Sequence, residues 1–180
     1  VDTGFHVPEE KVSRFASLYT HYWEERTMQL WEQEGNLKRD YTIPTKSPYG
    51  GHGLVSTTED YYQFVQMLLK KGELNGTRII SRKTLEFMTS SHLKPEQLPM
   101  QLGDWTLEGT TMGLGFGIIT NPAQTQTLSS VGNYGWSGAA ATNFWVDPKE
   151  EIVGIIMTQI MNNMLPFGDD FRVLTYQAII

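Results

Sequence analysis

Tyr134-Gly135-Trp136-Ser137-Gly138-Ala139-Ala140-Ala141-Thr142-Asn143-Phe144-Trp145-Val146-Asp147-Pro148 is the stretch on which the reading of the fold turns. Small residues at Gly138, Ala139, Ala140 and Ala141 leave one face of an extended segment open to close approach by another backbone or a ligand. Phe144, Trp145 and Val146 then supply bulky β-forming side chains, and Asp147-Pro148 turns the chain. The run that follows, Ile152-Val153-Gly154-Ile155-Ile156-Met157, is rich in β-branched residues; it is long enough for a buried strand and too short to cross a membrane. Two strands joined by a tight turn predict an antiparallel hairpin.

Composition narrows the class further. Of 180 residues, 39% are hydrophobic and 12% aromatic, which suffices for one sizeable core and argues against intrinsic disorder. One domain, or most of one, is expected. A net charge of −6 disfavours nucleic acid as a partner, since affinity for a phosphate backbone comes from clustered Lys and Arg. The absence of cysteine removes disulfides, thiolate zinc sites and Cys nucleophiles together, and it suits cytosol and periplasm alike. His6, His21, His52 and His92 lack metal-ligand spacing, so neither metal nor cofactor is expected. Val1 is not an initiator, no leader-like segment follows it, and the chain stops on Ala178-Ile179-Ile180. Both ends read as cuts in a longer protein.

Periodicity outlines the remaining elements. Residues 8–16 suit the start of a short helix, residues 18–37 two short strands, and residues 44–53 a loop. Ser56-Thr57-Thr58-Glu59 has the form of a capping box opening a helix. Tyr61, Phe64, Val65 and Leu68 share one face of that helix, and Lys70-Lys71-Gly72 closes it. Asn75-Gly76 predicts a turn, and Ser81 caps a second helix running through Leu85 and Met88. Residues 94–111 read as a loop, residues 112–120 as a strand crossed closely by other backbone, and residues 167–180 as a helix through Phe171, Leu174 and Ala178.

In this order the motifs resemble the serine β-lactamase and penicillin-binding-protein superfamily, in the branch of class C-like β-lactamases, D-alanyl-D-alanine carboxypeptidases and short-chain esterases. Asp2-Thr3-Gly4-Phe5 resembles the segment after that family's second motif. The stretch Gly51-His52-Gly53-Leu54-Val55-Ser56-Thr57-Thr58-Glu59-Asp60-Tyr61 resembles its turn into a helix. Leu68-Leu69-Lys70-Lys71-Gly72-Glu73-Leu74-Asn75-Gly76 and then Trp136-Ser137-Gly138 through Asp147-Pro148 follow in the family's order. The ordered set is far more specific than any one segment, and it covers nearly the whole chain.

The resemblance implies three catalytic elements: a nucleophilic Ser with Lys three residues later, a Tyr-x-Asn segment, and a Lys-Thr-Gly or His-x-Gly triplet on a strand beside the cleft. Trp136-Ser137-Gly138 aligns with the triplet, which makes Trp136, Ser137 and Gly138 candidate substrate-binding residues. In the family the backbone N–H after the triplet helps hold the oxyanion, so that task maps onto Ala139. Tryptophan in place of Lys or His removes a cation and favours an uncharged acyl substrate. Neither Ser-x-x-Lys on a helix nor Tyr-x-Asn occurs in the chain, which implies a nucleophile upstream of Val1 and a fragment inactive alone.

Two segments are decoys for a catalytic serine. Ser91-His92-Leu93-Lys94 has the Ser-to-Lys spacing, but it follows the second helix and abuts Pro95. Gly135-Trp136-Ser137-Gly138-Ala139 misses a nucleophile elbow because Ala139 stands where the last glycine belongs. Plain structural readings compete with the functional ones: Trp136 covering the sheet edge, Ser137 as a small polar residue in a tight strand, His52 as a loop contact.

The fold implied is α+β, a sandwich of one antiparallel β-sheet flanked by helices, β-lactamase/transpeptidase-like and incomplete at the N-terminus. Residues 1–180 form one partial domain, with a helical insert at about 56–92 and the sheet and closing helix at about 112–180. Strands are expected at residues 112–120, 139–146 and 152–158. The expected partner is a small ester or β-lactam-like molecule met by the full-length enzyme. The missing part would cover apolar surface, so self-association of the chain is also expected. The competing function is a non-catalytic member of the same fold that binds a ligand or peptide.

Overall fold

A computed structural model describes residues 1–31 and 39–180. A 3-10 helix at Glu9–Arg14 precedes strands β1 (Tyr19–Tyr22) and β2 (Thr27–Leu30), which pair antiparallel. Helix α1 (Thr58–Leu69) leads to the hairpin of β3 (Glu73–Leu74) and β4 (Thr77–Arg78), and then to α2 (Arg82–Met88). A second small hairpin, β5 (Met100–Leu102) with β6 (Trp105–Leu107), precedes the main sheet. That sheet comprises β7 (Thr110–Met112), β8 (Gly117–Ile119), β9 (Tyr134–Ser137), β10 (Asn143–Asp147) and β11 (Ile152–Ile156), with α3 (Pro122–Thr125) between β8 and β9. Strand β12 (Ile160–Met161) returns parallel to β1, and α4 (Phe167–Gln177) closes the described chain.

The five main strands lie in the order β11-β10-β9-β8-β7, each antiparallel to its neighbour. Alternation along β10 explains the layers, because successive side chains leave a strand on opposite faces. Phe144 and Val146 enter the main core with Val65, Met67 and Leu68 of α1, Leu85 of α2, Phe116, Ile118 and Tyr134. On the opposite face, Trp145 packs edge-on against Phe171 of α4 at 5.2 Å, with the Arg172 guanidinium 4.8 Å from its ring centre. A central strand covered on both faces is apolar throughout, which accounts for the unbroken Phe-Trp-Val run. The predicted β10–β11 hairpin is present, with Asn143 opposite Ile156 and Asp147 opposite Ile152.

Trp145 fits because its register partners on both sides are glycines, Gly135 on β9 and Gly154 on β11. A Cβ at Gly154 would lie 2.2 Å from the indole, and one at Gly135 would lie 2.0 Å from the Phe144 carbonyl oxygen. On the same face Asp147 is buried and accepts hydrogen bonds from the Tyr176 hydroxyl and from the backbone N–H groups of Lys149 and Glu150. Asn133 donates to the Tyr176 oxygen at 2.7 Å. Burial pushes the Asp147 carboxyl up, and these hydrogen bonds, led by that of Tyr176, outweigh it and leave the group below its ordinary range.

Several expectations are corrected. Residues 134–148 form two strands separated by a turn, so the predicted strand at 139–146 shrinks to Asn143–Asp147. The small residues at 138–141 therefore make the turn. Residues 112–120 likewise split into the ends of a hairpin, β7 with β8, closed by the Gly113 N–H donating to the Phe116 carbonyl at 2.8 Å. The region 94–111 holds a 3-10 turn at Pro95–Gln97 and the β5–β6 hairpin as well as loop. Helix α1 is capped by Thr57 rather than Ser56: the Thr57 hydroxyl accepts from the Asp60 N–H. The Asp60 carboxylate instead accepts from the Asp2 N–H and the Thr3 hydroxyl. Phe64 stays 41% exposed, whereas Met67 is buried. The closing helix ends at Gln177 and buries no residue fully. Residues 8–16 contain a 3-10 helix only, and 152–158 is a strand to Ile156. Of the two strands expected in 18–37, both are seen, while residues 32–37 lie outside the described residues.

Candidate functional site

Strand β9 carries the candidate residues, and its pairing is unequal on its two edges. Toward β10 it is paired along its whole length, from Tyr134 opposite Val146 to Ser137 opposite Asn143. Toward β8 only its first half is paired, Tyr134 with Ile118 and Gly135 with Gly117. Trp136 and Ser137 thus present a strand edge with no neighbour among the described residues. Such an edge offers backbone donors and acceptors to an extended ligand.

Beyond β9 the chain turns tightly. The Gly138 N–H donates to the Thr142 carbonyl at 2.8 Å, and the Ala141 N–H donates to the Gly138 carbonyl at 3.0 Å. A Cβ at Gly138 would come within 2.4 Å of the Thr142 hydroxyl, which would have to turn away. Ala141 adopts φ 61°, a left-handed conformation that a non-glycine residue holds at some cost. Ala139, at the tip, is exposed, and its N–H donates to no acceptor among the described residues. The next carbonyl is fixed: Ala140 O accepts from the Thr158 hydroxyl at 2.8 Å and from the Ile160 N–H at 3.2 Å. Because β12 is paired with β1, the small sheet braces the turn from behind.

The Trp136 side chain lies on the face toward α1 and α2, half-buried against the core, and its six-membered ring covers Gly117 of β8. It both covers the sheet and lines the ground beside the free edge. Ser137 is exposed and its hydroxyl has no hydrogen-bond partner among the described residues. A serine nucleophile needs a base within hydrogen-bond reach, and none stands beside it among the described residues. Tyr134, two residues earlier, is buried, and that burial pushes its hydroxyl well above the ordinary range, which keeps it protonated.

The decoy at residues 91–94 has no helical geometry. Helix α2 ends at Met88, the Ser91 hydroxyl pairs with that of Thr111 at 2.7 Å, and Lys94 leads into the 3-10 turn. His52 is exposed and stacks on Tyr49, while His92 bonds the Phe87 carbonyl. Among the described residues no cluster of His, Asp or Glu could hold a metal ion, and no helix is long and apolar enough to cross a membrane. Sequence reasoning missed Thr158 and Ala140, which position the turn without any motif of their own.

A sheet with α1 and α2 on one face and α4 on the other, and a half-free strand ending in a glycine turn, defines the class. The chain belongs to the Beta-lactamase family, whose model it matches over residues 1–178. Protein Rv1367c of Mycobacterium tuberculosis (strain ATCC 25618 / H37Rv) is 30% identical over 167 residues, covering 88% of this chain and 39% of that protein. The uncharacterized protein MT1414 of Mycobacterium tuberculosis (strain CDC 1551 / Oshkosh) matches to the same extent.

Among solved structures, EstCE1, a hydrolase with promiscuous acyltransferase activity, superposes with a TM-score of 0.77 at 17% identity, over 98% of this chain and 46% of its own. Simvastatin synthase (LovD) from Aspergillus terreus gives 0.73 at 15% identity, over 99% and 48%. A penicillin-binding-protein homologue from Caulobacter crescentus gives 0.67 at 15% identity, over 99% and 49%. The α+β, β-lactamase/transpeptidase-like fold is therefore established. The chain spans 39% of the length of these curated relatives and about half of the solved ones.

Proposed function

We propose that this chain is the C-terminal part of a serine hydrolase that works through an acyl-enzyme, with its nucleophilic Ser-x-x-Lys in an upstream segment. The observation that carries the reading is the free half of β9 running into Ala139, an exposed N–H that no described residue accepts. In the complete enzyme the upstream serine oxygen attacks the acyl carbonyl and expels the alcohol; water then cleaves the new ester and releases the acid. The Ala139 N–H donates to the oxyanion in both steps, a contribution of about 3 kcal/mol to the transition state. The second donor would be the nucleophile's own N–H.

Trp136 supports an uncharged ester over a carboxylate-bearing β-lactam, because no cation stands at that position. The 1–180 chain is one partial domain in this reading, and alone it is inactive. The test is turnover of p-nitrophenyl esters and a chromogenic cephalosporin by the chain and by the parent protein. The parent is expected to prefer the esters, and the isolated chain to turn over neither. Equal or better turnover of the cephalosporin would contradict the ester preference; turnover by the chain alone, abolished by Ser91→Ala, would contradict the upstream nucleophile. A parent sequence without Ser-x-x-Lys and Tyr-x-Asn would replace this reading with the non-catalytic, ligand-binding one.

A further inference from the structure

The cavity beside Trp136 has a character of its own. It measures about 440 Å³ and is lined by Leu93, Met100, Leu102, Met112 and Trp136 together with Gln97 and Gln101. That volume lies within the ~300–1,000 Å³ range of small-molecule sites. No charged side chain lines it. Of its two amides, Gln101 pairs with the Thr106 hydroxyl through Nε2 at 3.0 Å, while Gln97 Oε1 accepts from the Lys94 N–H at 2.9 Å and the Gln97 Nε2 has no partner among the described residues. The hairpin β5–β6 and the segment after α2 build it against β7 and β9. Hence it adjoins the free half of β9, and the turn that carries Ala139 starts two residues, or about 7 Å of extended chain, from Trp136.

A second cavity, about 510 Å³ and lined by Thr58, Glu59, Tyr62, Val153, Ile155 and Phe171 among others, opens on β11. Strand β10 stands between it and β9, whose free edge faces the other way, and it includes a carboxylate. It does not share the site's geometry.

We propose that the cavity under Trp136 binds an aliphatic arm of an uncharged ester, and so sets the chain-length preference of the enzyme. This rests on the serine-hydrolase reading above. A mostly apolar wall without charge favours hydrocarbon over a carboxylate, since an ion there would lose hydration with only the Gln97 amide in return. Burial of each further methylene is worth about fourfold in kcat/KM until the cavity is full.

The test uses the parent protein that contains this chain, with two ester series. One lengthens the acyl group from p-nitrophenyl acetate to octanoate; the other lengthens the alcohol from methyl to octyl acetate. Rising kcat/KM in one series identifies which arm enters the cavity. The ratio of longest to shortest ester is then expected to fall at least tenfold in Leu102→Asp, which puts a carboxylate into the apolar wall at a half-exposed hairpin position. A flat profile in both series, or a preference that Leu102→Asp leaves intact, overturns the proposal while the hydrolase reading stands. Where the parent turns over no ester, that reading fails and binding decides separately: a brominated aliphatic alcohol quenches tryptophan emission, with quenching reduced in both Trp136→Phe and Leu102→Asp. No difference between these variants and the wild type overturns the proposal.

Discussion

Substituting Gly154 by alanine tests the packing at the centre of the fold. The added methyl would lie 2.2 Å from the Cη2 and Cζ2 atoms of Trp145 and 2.4 Å from Cε2. Carbon atoms in contact stand about 3.5–4.0 Å apart, so the indole must retreat by more than an ångström. It has little room: Trp145 is 0% exposed, with Phe171 and Arg172 over it and Gly135 closing in from the next strand. Overpacking of this kind costs about 2 kcal/mol. Trp145→Leu alone removes buried ring atoms and costs about 3 kcal/mol. Once the indole is gone the methyl meets no obstacle, so the double variant is expected to lose about 3 kcal/mol instead of the additive 5 or so. The assay is urea unfolding followed by circular dichroism, comparing midpoints at constant slope. Additivity within about 0.5 kcal/mol, or a neutral Gly154→Ala, would refute the packing described for this face.

Three further outcomes are expected. Tyr176→Phe leaves two buried partners, Asp147 and Asn133, each short of a hydrogen bond, and is expected to cost about 2–3 kcal/mol at neutral pH. Because the Asp147 carboxyl lies below its ordinary range when folded, its contribution is present above the unfolded value near pH ~3.9 and is lost as pH falls through the folded one. The variant's acid limb should therefore be shallower in urea titrations down to about pH 3, and a parallel limb contradicts this. In the parent protein, Thr158→Val removes one of the two hydrogen bonds that hold the Ala140 carbonyl, leaving that from the Ile160 N–H, and on the serine-hydrolase proposal is expected to lower kcat about tenfold with KM little changed, while Thr158→Ser restores it; an unaltered kcat excludes Thr158 as a positioning residue. Finally, α4 exposes Phe171 and Leu174, and β11 has no outer neighbour among the described residues, so the isolated chain should self-associate in gel filtration and bind an apolar-reporting dye. A clean monomer without dye binding argues against it.

Strong local chemistry was legible in the sequence. Asn75-Gly76 makes the expected hairpin turn with φ of 50° and 77°, and Ser81 caps α2 by accepting from the Thr84 N–H. The β10–β11 hairpin follows from its β-branched runs. Where small residues cluster, the pattern misleads: glycine and alanine at 138–141 suit an open strand and a tight turn equally, and only the pairing of Ser137 with Asn143 decides.

The β5–β6 hairpin carries a signal in Gly103-Asp104, a two-residue turn with φ 61° at the glycine. Strands of three residues beside Pro95 and Pro99 hide it. Capping by Thr57 instead of Ser56 depends on Asp60 being drawn toward Asp2 and Thr3, a contact across more than fifty residues that no local pattern contains. At the site, Trp136-Ser137-Gly138 was visible as a motif. The brace on the Ala139 turn from Thr158 and the apolar cavity were not, since both arise from tertiary packing.

Covalent labelling tests the central claim most directly. The chain and its parent protein are each treated with a fluorophosphonate, which adds to activated serines, and the adducts are located by mass spectrometry. The chain alone is expected to stay unmodified, and the parent to carry one adduct, on a serine preceding Val1. An adduct on Ser137 or Ser91 would contradict that claim.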